Sequence, residues 1–150
     1  MSAGRLLGVD YGEVRVGLAV SDPDRKIAFP LAIYTRQGRE RDAVYFRAVV
    51  KEEAVFGLVI GLPVHMSGDE GEKAAAARTF GAWLVETTGL PATFWDERFT
   101  TVEAEAALWA AGLTHKQRKA RRDKVAAQIL LQAYLDAGCP VAPVAGPLEG

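Results

Sequence analysis

A chain of 150 residues fits one domain and can bury a proper core. Apolar residues make up 49% and charged residues 25%, the balance of a soluble globular protein. No apolar run approaches the roughly 20 residues needed to span a bilayer, and a net charge of -1 excludes a globally basic or acidic protein.

The N-terminal Met1-Ser2-Ala3-Gly4-Arg5 enters a short apolar segment without secretory architecture. Arg5 to Asp10 reads as a strand that is apolar on both faces, hence central in a sheet. Tyr11-Gly12-Glu13-Val14 supplies a turn. Arg15 to Ser21 follows with Val16, Leu18 and Val20 on one face and Gly17 and Ala19 on the other. Asp22-Pro23-Asp24 marks another turn, and Ile27 to Tyr34 is a third extended segment, so an antiparallel meander is expected.

The period then changes. Arg39 to Ala54 carries Val44 and Ala48, with Tyr45 and Val49, at helical spacing. Val55 to Ile60 is a buried-type strand running into Gly61-Leu62-Pro63. The polar, glycine-bearing segment from Val64 to Gly71 reads either as a substrate-contacting loop or as a plain connector. Glu72 to Thr88 is helical, with Ala77, Phe80 and Leu84 in one stripe. Gly89-Leu90-Pro91 stops it, and Ala92 to Trp95 is a fifth strand. Thr100 to Ala111 reads as a helix with Thr100 as cap and Glu103 at capping-box spacing. A last helix from about Asp123 to Ala137 carries the stripe Ala126, Ile129, Leu130, Ala133, Tyr134 and Ala137. The order of elements predicts an α/β fold, a mixed five-stranded sheet flanked by helices. The domain is expected over residues 1–137, with a Pro/Gly-rich tail over 138–150. Cys139 is the single cysteine, which excludes an internal disulfide and points to a reducing compartment, the cytoplasm.

Three carboxylates stand in informative places. Asp10 ends an otherwise apolar strand, where an ionised group is costly unless a cation or donors satisfy it. A turn-forming role accounts for it equally well. Asp96-Glu97 follows the fifth strand, and alternation lets only one of the two face the Asp10 site without saying which. Asp123 lies three residues before Ala126 and seven before Leu130, on the extension of the apolar stripe, in the first turn of the expected helix. Carboxylates from separate elements meeting at one sheet edge make an all-oxygen site for hard cations such as Mg²⁺ or Mn²⁺. His65 and His115 are isolated, so no zinc-type cluster forms. Lys116, Arg118, Lys119, Arg121, Arg122 and Lys124 hold six of the 18 Lys/Arg within nine positions. They lead into Asp123 and form an electropositive segment suited to phosphates. Arg15, beside the Asp10 turn, and Arg98 are further candidates for phosphate contacts.

These residues resemble the YqgF/RuvX group of RNase H-like nucleases. The matching pieces are Gly8-Val9-Asp10-Tyr11-Gly12 with Arg15-Val16-Gly17-Leu18-Ala19 and Ser21-Asp22, then Gly61-Leu62-Pro63 with Gly68 and Gly71. Asp96-Glu97-Arg98-Phe99-Thr100-Thr101 follows, then Asp123-Lys124-Val125-Ala126-Ala127 with Ile129-Leu130 and Tyr134-Leu135. The match covers all but the tail, in order. It implies an RNase H-like fold and a catalytic, metal-binding triad of Asp10, Glu97 and Asp123, so the resemblance selects Glu97 over Asp96. It also implies a hydrolase acting on the small-subunit ribosomal RNA precursor or on Holliday junctions, hence a structured RNA or branched DNA partner. Val14 stands where the family has a lysine, and His65 and Ser67 replace its usual Asn and Asp, departures that fall on substrate contacts. The expected protein is a monomer or homodimer without a membrane partner.

Two other classes compete. An ATPase of the actin and sugar-kinase kind also opens with an Asp-x-Gly turn, but it needs a second similar domain, and no P-loop is present. A non-catalytic nucleic-acid-binding module would keep the fold, but it has no use for a complete acidic triad.

Overall fold

The computed structural model describes residues 4–65, 67–99 and 114–140, with the backbone alone for Phe99 and for 115–124. Its strands are β1 (Arg5–Asp10), β2 (Arg15–Ser21), β3 (Ala28–Thr35), β4 (Val55–Leu62) and β5 (Ala92–Asp96). Its helices are α1 (Arg39–Glu52), α2 (Glu72–Thr88) and α3 (His115–Asp136), and Glu97–Phe99 forms a 3₁₀ turn directly after β5. The helix expected over Thr100 to Ala111 lies outside the described residues.

One sheet has the order β3-β2-β1-β4-β5. The meander is antiparallel, with Asp10 opposite Gly17 at the end of β1. β4 and β5 add parallel to β1, with Val9 beside Ile60 and Leu62 beside Asp96. The apolar run of β1 thus becomes the middle strand of a mixed sheet, buried on both faces.

Strand alternation divides the core. Leu7 and Val9 join Val16, Leu18, Leu58 and Ile60 beneath α1 and α2, where Phe46, Phe80 and Leu84 close the layer. Leu6, Ala19, Val59 and Trp95 face the other way, beneath α3, and meet Ala127, Leu130, Leu131 and Tyr134. Gly89, at φ 74, ends α2 in the left-handed conformation that glycine adopts without penalty.

Small residues bring α3 close to its side of the sheet. A Cβ on Gly8 would lie 2.8 Å from Leu131 Cβ, and one on Gly61 would lie 3.0 Å from Leu130 Cδ2. A Cβ on Gly17 would stand 3.7 Å from Ala127 Cβ and 3.6 Å from Asp10 Cβ. The helix therefore rests almost on the sheet backbone.

Three expectations are corrected. In α1 the buried positions are Asp42, Phe46 and Val49, while Val44 is exposed; a charged residue inside the inner stripe concealed its register. α3 begins at His115 rather than near Asp123, because Lys, Gln, Arg and Ala propagate a helix without needing an apolar stripe to reveal it. Asp123 is consequently two turns inside the helix and not in its first turn. The buried stripe of α3 is also rotated, centred on Ala127, Leu130, Leu131 and Tyr134, with Ala126, Ile129 and Ala133 half-buried. Position 123 is four residues before Ala127 and seven before Leu130 on this helix.

Candidate functional site

Alternation along β1 puts Asp10 on the same face as Leu6 and Gly8, the face covered by α3. Along β5, Trp95 faces α3 as well, and the chain then tightens into the 3₁₀ turn that begins at Glu97. Because β1 and β5 flank β4 and run parallel to it, both chain ends emerge at the same edge of the sheet. This is the edge where open α/β sheets place their ligands.

Asp10 and Glu97 meet there. Their side chains share a hydrogen bond, and both are half-buried. Burial first, then the charges of Asp10 and Asp96 and the bond to Asp10, push the Glu97 carboxyl up to about 7. The bond needs a proton, since two ionised carboxylates would only repel. Gly61 leaves the room, for a Cβ there would lie 2.9 Å from Glu97 Oε1. Asp96, by contrast, turns away and takes Arg98. The Arg98 guanidinium donates through Nε and Nη2 and its amide donates to Oδ1, an arrangement that outweighs burial and holds Asp96 below the usual carboxylate range.

The third expected acid arrives from α3. Moving from Leu131 to Ala127, the helix passes from above Gly8 to above Gly17 and Asp10. The axis of α3 therefore runs toward the edge that holds Asp10 and Glu97. Among the described residues no three His, Cys, Asp or Glu side chains form a metal-ligand group, and the Asp123 side chain lies outside them.

The two acids that are described suit a hard divalent cation. Both offer only oxygen donors, and they are held against each other at a water-accessible rim. A cation that replaces the shared proton relieves both the repulsion and the burial penalty.

Asp10, Glu97 and Gly61 line a cleft of about 600 Å³, together with Tyr11, Pro63 and Lys73. Arg15 is exposed and lines a neighbouring hollow of about 540 Å³ with Asp10, Gly17 and Ile33. Residues 116–124 run along α3 in backbone, so the basic segment is helical. Arg98 reaches this region already engaged by Asp96. The described residues of the 64–71 segment form a hydrogen-bonded turn, bridged between Val64 and Glu70. Arg78 clamps it by donating to both Glu70 oxygens, at 2.6 and 2.8 Å.

One part of the site had no sequence signal. Asp42 is fully buried, and it accepts from the Tyr34 hydroxyl at 2.6 Å, the Gln37 amide at 2.9 Å and Arg36 Nε at 3.3 Å. Burial alone would raise its carboxyl, but these donors together hold it below its ordinary value. The same bond, after burial, helps push the Tyr34 hydroxyl up to about 12. Arg36 reaches on to the Tyr11 hydroxyl at 3.3 Å and stacks over the rings of Tyr11 and Phe80. The residue beside Asp10 is thereby tied to a buried charge network. A helical Asp flanked by Arg39, Glu40 and Arg41 reads as a surface residue in any sequence.

Comparison with known proteins adds independent findings. A family model described as RuvX, Holliday junction resolvase, matches residues 4–137. A Rhodopirellula baltica protein named as a candidate pre-16S rRNA nuclease is 48% identical, over 91% of this chain and 79% of its own. A Syntrophomonas wolfei protein of the same name is 42% identical, over 89% and 95%. Among solved structures, Thermus thermophilus RuvC in complex with a Holliday junction substrate superposes with a TM-score of 0.54. That pair shares 15% identity over 89% of this chain and 96% of the other, a likeness of fold.

Proposed function

The chain belongs to the RuvX family, and we propose that it is a divalent-metal-dependent endonuclease that cuts phosphodiester bonds in the small-subunit ribosomal RNA precursor. The observation that carries this reading is the Asp10–Glu97 pair, carboxylates from the end of β1 and from the turn after β5 that share a hydrogen bond at the open edge of the sheet. The relatives named above supply the substrate class. The working domain is residues 1–137, and among the described residues no helix is long and apolar enough to cross a membrane.

In this reading Asp10, Glu97 and Asp123 hold Mg²⁺ or Mn²⁺, as a pair of ions. Such ions supply Lewis-acid charge to the scissile phosphate and make water acidic enough to attack near neutral pH. The protein's own part is positional. Asp10 is fixed by its place in the central strand, opposite Gly17. Glu97 is fixed by the 3₁₀ turn and by its close approach to Gly61. The helical segment with Lys116, Arg118, Lys119, Arg121, Arg122 and Lys124 draws the polyanion toward the edge by long-range attraction. Arg15 and Arg98 are placed to flank the entering backbone, Arg98 with its charge partly spent on Asp96.

The pH dependence has a definite sign. Glu97 carries a raised carboxyl, so the stability its protonated form contributes is complete below the unfolded value near 4.5. It is lost as pH rises through about 7. A cation competes with that proton. The gain in Tm from Mg²⁺ is therefore expected to be small at acidic pH and to grow as pH passes through about 7. A gain independent of pH would remove Glu97 from the ligand set.

The family description favours a second reading, resolution of branched DNA. One cleavage panel separates the two. Ribosomal precursor RNA and four-way DNA junctions are offered to the protein with Mg²⁺ and with Mn²⁺. Cutting of the RNA alone is expected. Cutting of the junction alone transfers the assignment to the second reading, and a protein that cuts neither overturns both.

A further inference from the structure

The cleft at Asp10 and Glu97 does not end at the sheet edge. Through Tyr11 and Ala76, which line both, it continues into a groove of about 360 Å³ over α1 and α2. Arg36, Arg39, Thr79 and Trp83 line this groove. We propose that the Arg36–Arg39 groove is a second nucleic-acid subsite, which grips the backbone of an RNA strand after it has passed the acidic pair. The proposal rests on the nuclease reading and extends it to the opposite face of the sheet from the basic helix α3.

Charge and construction both support that occupant. Arg39 is exposed at the first position of α1 and has no ion-pair partner among the described residues. Arg36 is held in place rather than loose. Its Nε is spent on the buried Asp42 and its Nη1 on Tyr11, while 30% of the side chain stays open to water. A guanidinium fixed in this way presents its remaining donors without further loss of rotamer freedom, which suits a phosphate oxygen. Trp83 is half-buried, with its ring held against Phe46 and Phe80, and adds a rigid aromatic side chain to the groove lining. Asp42 is the positioning residue, and Arg36 and Arg39 make the contacts.

The continuity also has a geometrical meaning. The basic segment of α3 lies on one face of the sheet and the arginine groove on the other, with Asp10 and Glu97 at the edge between them. A strand engaged at both ends has its scissile phosphate drawn over the edge.

The test uses the full chain carrying Asp10→Asn, so that the probe is bound and not cut. A short single-stranded RNA is titrated in Mg²⁺ buffer at several salt concentrations, against further variants at Arg39. Arg39→Ala is expected to weaken binding roughly threefold and to lower the salt slope by about 0.7, the contribution of one single-strand phosphate contact. Arg39→Glu is expected to weaken it about tenfold, since it adds repulsion. Cleavage of the same RNA by chains with Asp10 intact is measured in parallel, with and without Arg39→Glu. A raised KM with kcat little changed supports the groove. If the wild type cuts while Arg39→Glu alters neither affinity, salt slope nor KM, the groove is overturned and the nuclease reading stands. If the wild type neither binds nor cuts this RNA or the ribosomal precursor RNA, the nuclease reading fails and the groove fails with it.

Discussion

Asp10→Asn is expected to abolish cleavage while the protein stays folded. The substitution keeps size and shape at the rim of β1 and removes one oxygen charge from the cation site. Loss of several kcal/mol of charge stabilisation is on the order of a thousandfold in rate. The same change removes the second-largest influence on Glu97, after burial, and lowers its carboxyl toward the ordinary range. In metal-free buffer above about pH 7, Tm should hold or rise slightly, because a like-charged neighbour has gone. The pair of measurements is diagnostic: full cleavage activity would discard the site, and a collapse of Tm would make any lost activity uninformative.

Asp42→Ala is expected to be the most destabilising single change in the described molecule outside the apolar core. The carboxylate is wholly buried and satisfies a hydroxyl, an amide and a guanidinium at once. Removing it strands the Tyr34 hydroxyl and the Gln37 amide and leaves Arg36 without its counter-charge. A cost of about 3 kcal/mol follows, short of a wholly buried pair because Arg36 can still reach water. In a domain of this size that corresponds to a Tm lower by roughly 6 to 12 °C. Tyr34→Phe, which deletes one hydroxyl, should cost about 1 kcal/mol.

The pH sign is opposite to that of Glu97. The lowered Asp42 carboxyl stabilises the fold above its unfolded value of 3.8, and that contribution disappears as pH falls through the folded value. Wild type and Asp42→Ala should therefore converge in stability in strong acid, as denaturant titrations at several pH values would show. A gap that stays constant into acid would mean that Asp42 acts through packing alone.

Much of this architecture was legible from local pattern. β1 announced itself as a central strand because both of its faces are apolar, and Asp10 stood out because it ends such a strand. The meander, the two parallel additions and α2 follow the periods of their apolar residues. Elsewhere the pattern was silent for identifiable reasons. Spacing could not choose between Asp96 and Glu97, since the choice depends on Trp95 facing α3 and on the turn that follows. The first two turns of α3 carry no apolar stripe, so the charged run concealed a helix. In α1 a buried carboxylate occupies a position that an apolar stripe would give to Leu, so the sequence pattern points to Val44 as an inner residue although it is exposed. Arg36 and Tyr11 are distant in sequence, and only the fold brings them beside the same cleft.

The glycines beneath α3 set a mechanical tolerance. Gly8, Gly17 and Gly61 act as the bearing surface on which the helix sits as it runs toward the end of β1. Metal coordination tolerates displacements of only about 0.2 Å, whereas a methyl group on Gly8 would stand 2.8 Å from Leu131 Cβ and force a larger shift. Lifting the helix at Leu131 tips its far end like a lever. In the proposed reading, the alignment of Asp10 and Glu97 with Asp123 is thus calibrated by the thickness of bare backbone.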